Sequence, residues 1–193
     1  FHHTSFARGS HEEFISNANE RLAEAAAFFR DCNKVIITLG TSWCYRHIEK
    51  DMVVSNCLKR NPKEFVREFL PASETAAMIR EIMELCPDKQ FIFTVSPIRH
   101  FKDGAHGNQL SKDSLLLGIE EALAGTADYF PAYEIVMDEL RDYRFYAEDM
   151  CHPTQQTADY ICERFLDWAL PAEEHVTLKE NIRLWRQNSH ISK

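Results

Sequence analysis

Two short apolar runs constrain the fold of this chain more than any other feature of its sequence. Residues 35–40 read VIITLG and residues 91–97 read FIFTVSP, and each run ends at a glycine or a proline. A strand that is apolar on both sides needs cover on both faces, which is typical of a parallel sheet between helices. We therefore expect the first run to be a central strand and the second to be a further buried strand of the same parallel sheet.

The other patterns are mostly helical and alternate with these two strands. Ser10 and Glu13 form a capping-box pattern ahead of apolar residues at helical spacing. This alternation predicts an α/β fold, a three-layer sandwich with a mainly parallel, flavodoxin-like sheet. A short strand is predicted at 128–130, and further helices are predicted at Asn61–Pro62, from Ser73, around 115–123, from Pro153 and over 173–186.

Composition narrows the class of protein. The chain has 193 residues, is 45% hydrophobic and carries a net charge of −8, which suits one domain over 1–193 with a C-terminal helical extension over 171–193. Its basic residues are scattered, so we expect neither a nucleic-acid nor a membrane partner. Six cysteines without a C-x-x-C pair, and no signal-like segment, predict a cytoplasmic protein with reduced thiols. The oligomeric state is left open.

One polar motif suggests catalysis. Asp149 and His152 lie three residues apart in EDMCHP, just before a predicted helix. A general-base imidazole needs a carboxylate that fixes its orientation and its tautomer. One turn of chain can fold Asp149 against the ring, and Pro153 then commits the helix, so we expect His152 to stand at the mouth of a cleft.

Three polar segments follow predicted strands: GTSW, SPIRH and EDMCH. Ligands of α/β sheets bind at the carboxyl ends of the strands, so these segments are expected to line one site. Within them and the loop that follows, Trp43, Arg99, His100 and Lys112 are expected to contact the substrate.

Longer stretches carry a family resemblance. TLGTSW, NCLKRNPKEF, TVSPIRHFKDGAHGNQLSK, YFPAYEI and LRDYRFYAEDMCHP resemble the GSCFA family, within the SGNH or GDSL-like hydrolase superfamily. The resemblance implies an SGNH-like fold without cofactor or metal. It also implies hydrolysis of a small-molecule or glycan acyl ester, with His152 as base and Asp149 as its orienting carboxylate.

The serine segment of that family is not among these residues. The Gly-Ser-Cys-Phe-Ala string that names the family does not occur in the sequence, and neither does the strand that should precede it. We therefore expect a C-terminal portion whose nucleophilic serine is supplied from upstream. The resemblance further implies oxyanion or cleft roles for Gly40, Ser42 and Asn56, with Ser42 at the position of the superfamily's asparagine.

Three alternatives stay open at this point. The first is a metal-binding hydrolase, with its ligands drawn from His100, His106, Asp149, Cys151 and His152. The second is a cysteine nucleophile at Cys44 or Cys57. The third is a non-catalytic ligand-binding or scaffold domain, which the lack of the serine string favours.

Overall fold

The computed structural model of the chain describes residues 4–54 and 60–191. None of the helices in these two stretches is long and apolar enough to cross a membrane. The strands are β1 Lys34–Leu39, β2 Trp43–His47, β3 Met52–Val54, β4 Phe65–Phe69, β5 Gln90–Val95 and β6 Asp128–Tyr129. The helices are α1 His11–Asp31, α2 Ala72–Leu85, α3 Gly104–Leu123, α4 Ala132–Glu134, α5 Gln155–Ala169 and α6 Glu174–Ile191. Helix α4 continues as a π-helix over Ile135–Leu140, and 3-10 turns cover Thr4–Phe6, Pro62–Glu64, Phe101–Asp103 and Tyr143–Phe145.

The chain falls into two compact units, Phe1–Tyr133 and Glu134–Lys193. The prediction of a single domain over 1–193 stays a prediction. Within the second unit, the predicted C-terminal extension contains helix α6.

The first unit contains the predicted parallel sheet, in the order β1-β5-β6. Strand β5 is buried along almost its whole length, as its apolar run predicts. Strand β1 alternates between exposed and half-buried residues, and Ile36 is 54% exposed. Among the described strands β1 pairs only with β5, so the prediction of a central strand is wrong for β1. One face of β1 packs on the core, and its other face is exposed.

The core of this unit lies between the sheet and helices α2 and α3. Phe91, Phe93 and Val95 of β5 pack with Ala76 and Ile79 of α2 and with Leu115, Ile119, Ala122 and Leu123 of α3. The two helices approach closely at Gly118, where an added Cβ would lie 2.7 Å from the Thr75 side chain and 2.8 Å from the Ala72 carbonyl oxygen. This contact requires glycine.

A second sheet of the first unit is antiparallel, in the order β3-β2-β4. The predicted helix at Asn61–Pro62 is wrong: Asn61 caps only the 3-10 turn, and β4 follows at once. Strand β4 reads FVREF, so alternate residues share one face. Phe69 packs against Trp43 at a ring separation of 5.2 Å, and this pairing of aromatic side chains stabilises the strand conformation.

In the second unit, a closed loop precedes helices α5 and α6. Tyr146 and Pro153 form an antiparallel bridge, and Thr154 caps α5 by accepting a hydrogen bond from the Thr157 backbone N–H. Pro153 is therefore a loop residue rather than the first residue of the helix. The buried Thr157 hydroxyl also donates to the Phe145 carbonyl at 2.7 Å, which ties α5 to the start of the loop.

Candidate functional site

The loop that carries the D-x-x-H motif is closed by backbone hydrogen bonds. The Ala147 N–H donates to the His152 carbonyl at 2.8 Å, and the Met150 N–H donates to the Ala147 carbonyl at 2.9 Å. Met150 has φ 56°, the left-handed conformation that turns the chain back. The loop thereby brings the Asp149 and His152 side chains onto the same turn.

The Asp149 carboxylate accepts three hydrogen bonds within this loop. One oxygen lies 2.6 Å from His152 Nδ1, and the other accepts from the backbone N–H groups of His152 and Cys151, both at 2.9 Å. The backbone N–H of His152, then its ring, then the Cys151 N–H lower the pKa of Asp149 to about 2. Asp149 is therefore ionised at neutral pH, so His152 Nδ1 is the donor of the 2.6 Å bond.

The His152 ring keeps its second nitrogen available. The side chain is 61% exposed, and no described residue bonds to Nε2. A neutral imidazole that donates from Nδ1 has an acceptor lone pair at Nε2, which is the atom that takes a proton in general-base catalysis. The pair of Asp149 and His152, called here the dyad, therefore has the tautomer that the sequence motif predicts.

Lys112 lies at the carboxyl ends of β1 and β5, in the first unit. Its side chain is fully buried, and its ammonium donates to the Gly40 carbonyl at 2.6 Å and to the Ser96 carbonyl at 2.7 Å. These bonds join the two strand ends through one side chain of α3. The predicted contact between Lys112 and substrate stays a prediction, and the structure gives this residue a structural role.

Ser42 is also committed to internal hydrogen bonds. It is 1% exposed, its N–H donates to the Ser111 hydroxyl at 2.7 Å, and its own hydroxyl donates to the Ser111 carbonyl at 2.8 Å. The Ser42 carbonyl accepts from the Leu70 N–H at 2.9 Å. Any role of Ser42 toward an oxyanion would require these bonds to break.

His100 follows β5 and lies beside Gly40. Its Nε2 lies 3.8 Å from the position that a Cβ on Gly40 would take, and its backbone N–H donates to Asn108 Oδ1 at 2.9 Å. Burial, and then the Lys112 ammonium, lower the pKa of His100, while Asp103 and the Gly40 backbone act in the opposite direction. The imidazole is therefore neutral at pH 7.

Trp43 is linked to two residues that the sequence analysis missed, to Arg67 directly and to Asp103 through Arg67. The Arg67 guanidinium stacks 4.3 Å from the centre of the indole ring and forms an ion pair with Asp103. Lys102, next in sequence, donates to the Tyr45 hydroxyl at 2.6 Å. The 3-10 turn after SPIRH is thus fixed to the face of the antiparallel sheet. The alternation in FVREF was the available signal for Arg67.

The remaining candidates are Arg99, Asn56 and the two cysteines, Cys44 and Cys57. Arg99 stacks 5.1 Å from the centre of the Phe101 ring, and Asn56 and Cys57 lie outside the described residues. Burial, followed by Glu68, raises the pKa of the Cys44 thiol, which disfavours a thiolate nucleophile there. Within residues 4–54 and 60–191, no three His, Cys, Asp or Glu side chains come together as a metal site, so no described cluster supports the metal alternative.

Comparison with known proteins agrees with the sequence motifs. A family model described as the GSCFA family matches residues 1–165. That segment includes both strand ends of the parallel sheet and the whole D-x-x-H loop. No curated protein matches the chain at a significant level. Since the family match covers most of the sequence, the chain belongs to the GSCFA family.

Proposed function

We propose that this protein is a hydrolase of acyl esters, including esters carried by carbohydrates, of the SGNH type. The observation that carries the proposal is the 2.6 Å hydrogen bond between His152 Nδ1 and the Asp149 carboxylate, with Nε2 exposed. Family membership supports the same reading, since the D-x-x-H motif is the part of the superfamily's machinery that this sequence retains.

In the proposed reaction, His152 Nε2 takes the proton of a serine hydroxyl that lies outside these 193 residues, in the Gly-Ser-Cys-Phe-Ala string of the family. The serine oxygen attacks the ester carbonyl, and the imidazolium then protonates the leaving alkoxide. Asp149 stays ionised throughout and stabilises the imidazolium, which its low pKa permits. Water hydrolyses the acyl-enzyme by the same proton transfers in reverse.

The oxyanion that forms in this reaction also needs hydrogen-bond donors. Ser42 already uses its N–H and its hydroxyl on Ser111, so we assign the role to the backbone around Gly40 and to Asn56. Removing one oxyanion donor costs about 100- to 1,000-fold in rate, so Asn56→Ala is a direct probe of that assignment.

The proposal is tested by ester turnover in a form of the protein that carries the family's serine string. With p-nitrophenyl acetate as substrate, His152→Ala should lower kcat/KM by about 1,000-fold or more. His175→Ala is the matched control, because His175 Nδ1 lies 3.6 Å from an Asp167 carboxylate oxygen in the same unit. An unchanged rate in His152→Ala would refute the assignment of the base.

The second candidate is a non-catalytic ligand-binding domain. Such a domain would use the same fold and the same dyad to hold a ligand without turnover. A fluorophosphonate probe separates the two: labelling of the string-carrying form, lost in His152→Ala, supports the hydrolase. No labelling and no turnover of that form would support the binding domain.

A further inference from the structure

Five buried side-chain polar atoms in the first unit lack a hydrogen-bond partner among the described residues. Two are the hydroxyls of Thr75 and Thr94, and the other three, Trp43 Nε1, His100 Nε2 and Asp103 Oδ2, belong to side chains that are linked to one another. The Asp103 side chain is 1% exposed, so its free carboxylate oxygen is well shielded from solvent. A buried polar group without a partner costs stability, and native proteins keep few of them. Each such group calls for an explanation, and a bound ligand is one of them.

The three atoms belong to one cluster of side chains. The Asp103 N–H donates to the His100 carbonyl at 3.0 Å, so both residues lie on the same 3-10 turn. Arg67 joins this turn to Trp43, because it pairs with Asp103 and stacks on the indole ring. The charges of Asp103 and Arg67 also act on the His100 ring, so both of these side chains lie within electrostatic range of it.

The chemistry of the three atoms selects a ligand group. An indole N–H can only donate, a carboxylate oxygen can only accept, and a neutral imidazole nitrogen does one or the other. Arg67 already balances the charge of Asp103, so a second cation is disfavoured. An anion would meet the free carboxylate oxygen at short range. A neutral group that both donates and accepts, such as a pair of neighbouring hydroxyls, matches the chemistry of all three atoms.

We propose that Trp43, His100 and Asp103 form a binding subsite for a neutral, hydroxyl-bearing group such as the vicinal hydroxyls of a polyol or a sugar. Arg67, whose side chain is 27% exposed, borders this subsite through its ion pair with Asp103 and its stacking on Trp43. If the subsite holds the alcohol part of an ester, this inference rests on the proposed function. The binding of a polyol at the subsite does not depend on that function.

The test follows the Trp43 indole N–H by NMR in 15N-labelled protein of 193 residues, with Trp43→Phe to assign the resonance. Glycerol and methyl β-D-glucopyranoside are the neutral probes, and methyl β-D-glucuronide is the anionic one. We expect the neutral probes to shift the Trp43 resonance saturably and the glucuronide to bind more weakly. Asp103→Asn should weaken binding about tenfold or more, the loss expected when one hydrogen bond to a charged group is removed.

Glu121→Gln is the matched control, since Glu121 also pairs with an arginine, Arg80, but at an exposed site. It should leave polyol binding unchanged, and thermal unfolding of both variants separates lost binding from lost folding. Three results would overturn the proposal. They are the absence of a saturable shift with either neutral probe, equal binding by a folded Asp103→Asn variant, and tighter binding of the glucuronide. His152→Ala should abolish ester turnover and leave polyol binding intact, so turnover without binding refutes the subsite alone. Binding without turnover refutes the hydrolase alone.

Discussion

The buried ammonium of Lys112 is predicted to stabilise the strand ends on which the first unit's polar residues lie. The perturbation is Lys112→Met, which keeps the length of the side chain and removes its charge. The substitution removes the hydrogen bonds to the Gly40 and Ser96 carbonyls, at 2.6 and 2.7 Å, and the contact of the ammonium with the Tyr133 ring at 5.8 Å. The two carbonyl oxygens then lose their partner in a region that is closed to solvent around Ser96.

The magnitude follows from opposing contributions. A buried acceptor left unsatisfied costs about 1–3 kcal/mol, so two of them cost about 2–6 kcal/mol. Removing a buried charge returns part of its desolvation cost. Gly40 is only half-buried, so water can replace one of the two bonds. We expect a net loss of about 2–4 kcal/mol in the free energy of unfolding, or about 4–16 °C in Tm for a chain of this size.

Urea unfolding followed by Trp43 fluorescence, in a background with Trp168→Phe and Trp185→Phe, measures this loss in the first unit. Lys102→Met is the control, because Lys102 donates a hydrogen bond at the surface, to the Tyr45 hydroxyl. The control should cost less than about 1 kcal/mol. A Lys112→Met variant as stable as the parent would refute the structural role of the buried ammonium.

Three further predictions concern titration, reactivity and packing. Because the pKa of Asp149 is lowered to about 2, the hydrogen bonds of its loop should be complete above about pH 4 and lost as pH falls through 2; a midpoint near 4 for the Cys151 amide shift would contradict this. Iodoacetamide should modify the exposed Cys162 faster than Cys44, whose raised pKa keeps the thiol protonated; faster modification of Cys44 would be the opposite result. Gly118→Ala should destabilise the chain by about 1–3 kcal/mol in thermal unfolding because its Cβ meets α2, and unchanged stability would count against that close approach.

The parallel sheet can be predicted from the sequence because an apolar run is a local signal for a buried strand. The run at 91–97 is long, apolar and bounded by breakers, and β5 forms there. The antiparallel sheet was missed because Asn61 followed by Pro62 is typical of a helix start and equally of a 3-10 turn. The period-2 alternation of FVREF is too short to predict a strand by itself. The strand forms because FVREF pairs with the strand that begins at Trp43.

The difference between local signals and long-range contacts also explains which parts of the site could be predicted. The contact between Asp149 and His152 spans three residues, so the motif alone indicates it. The burial of Ser42 depends on Ser111, 69 residues further along the chain, and no local pattern reports it. The left-handed turn at Met150 is also unexpected, because a side chain disfavours that conformation and only the closed loop imposes it.

The central claim is that Asp149 fixes His152 with its proton on Nδ1 and its lone pair on Nε2. Long-range 1H–15N correlation NMR of the histidine rings at high pH measures this tautomer directly in the 193-residue chain. We expect His152 to carry its proton on Nδ1, and Asp149→Asn to shift the population toward the Nε2-protonated form. A wild-type His152 that is protonated mainly on Nε2 would contradict the account.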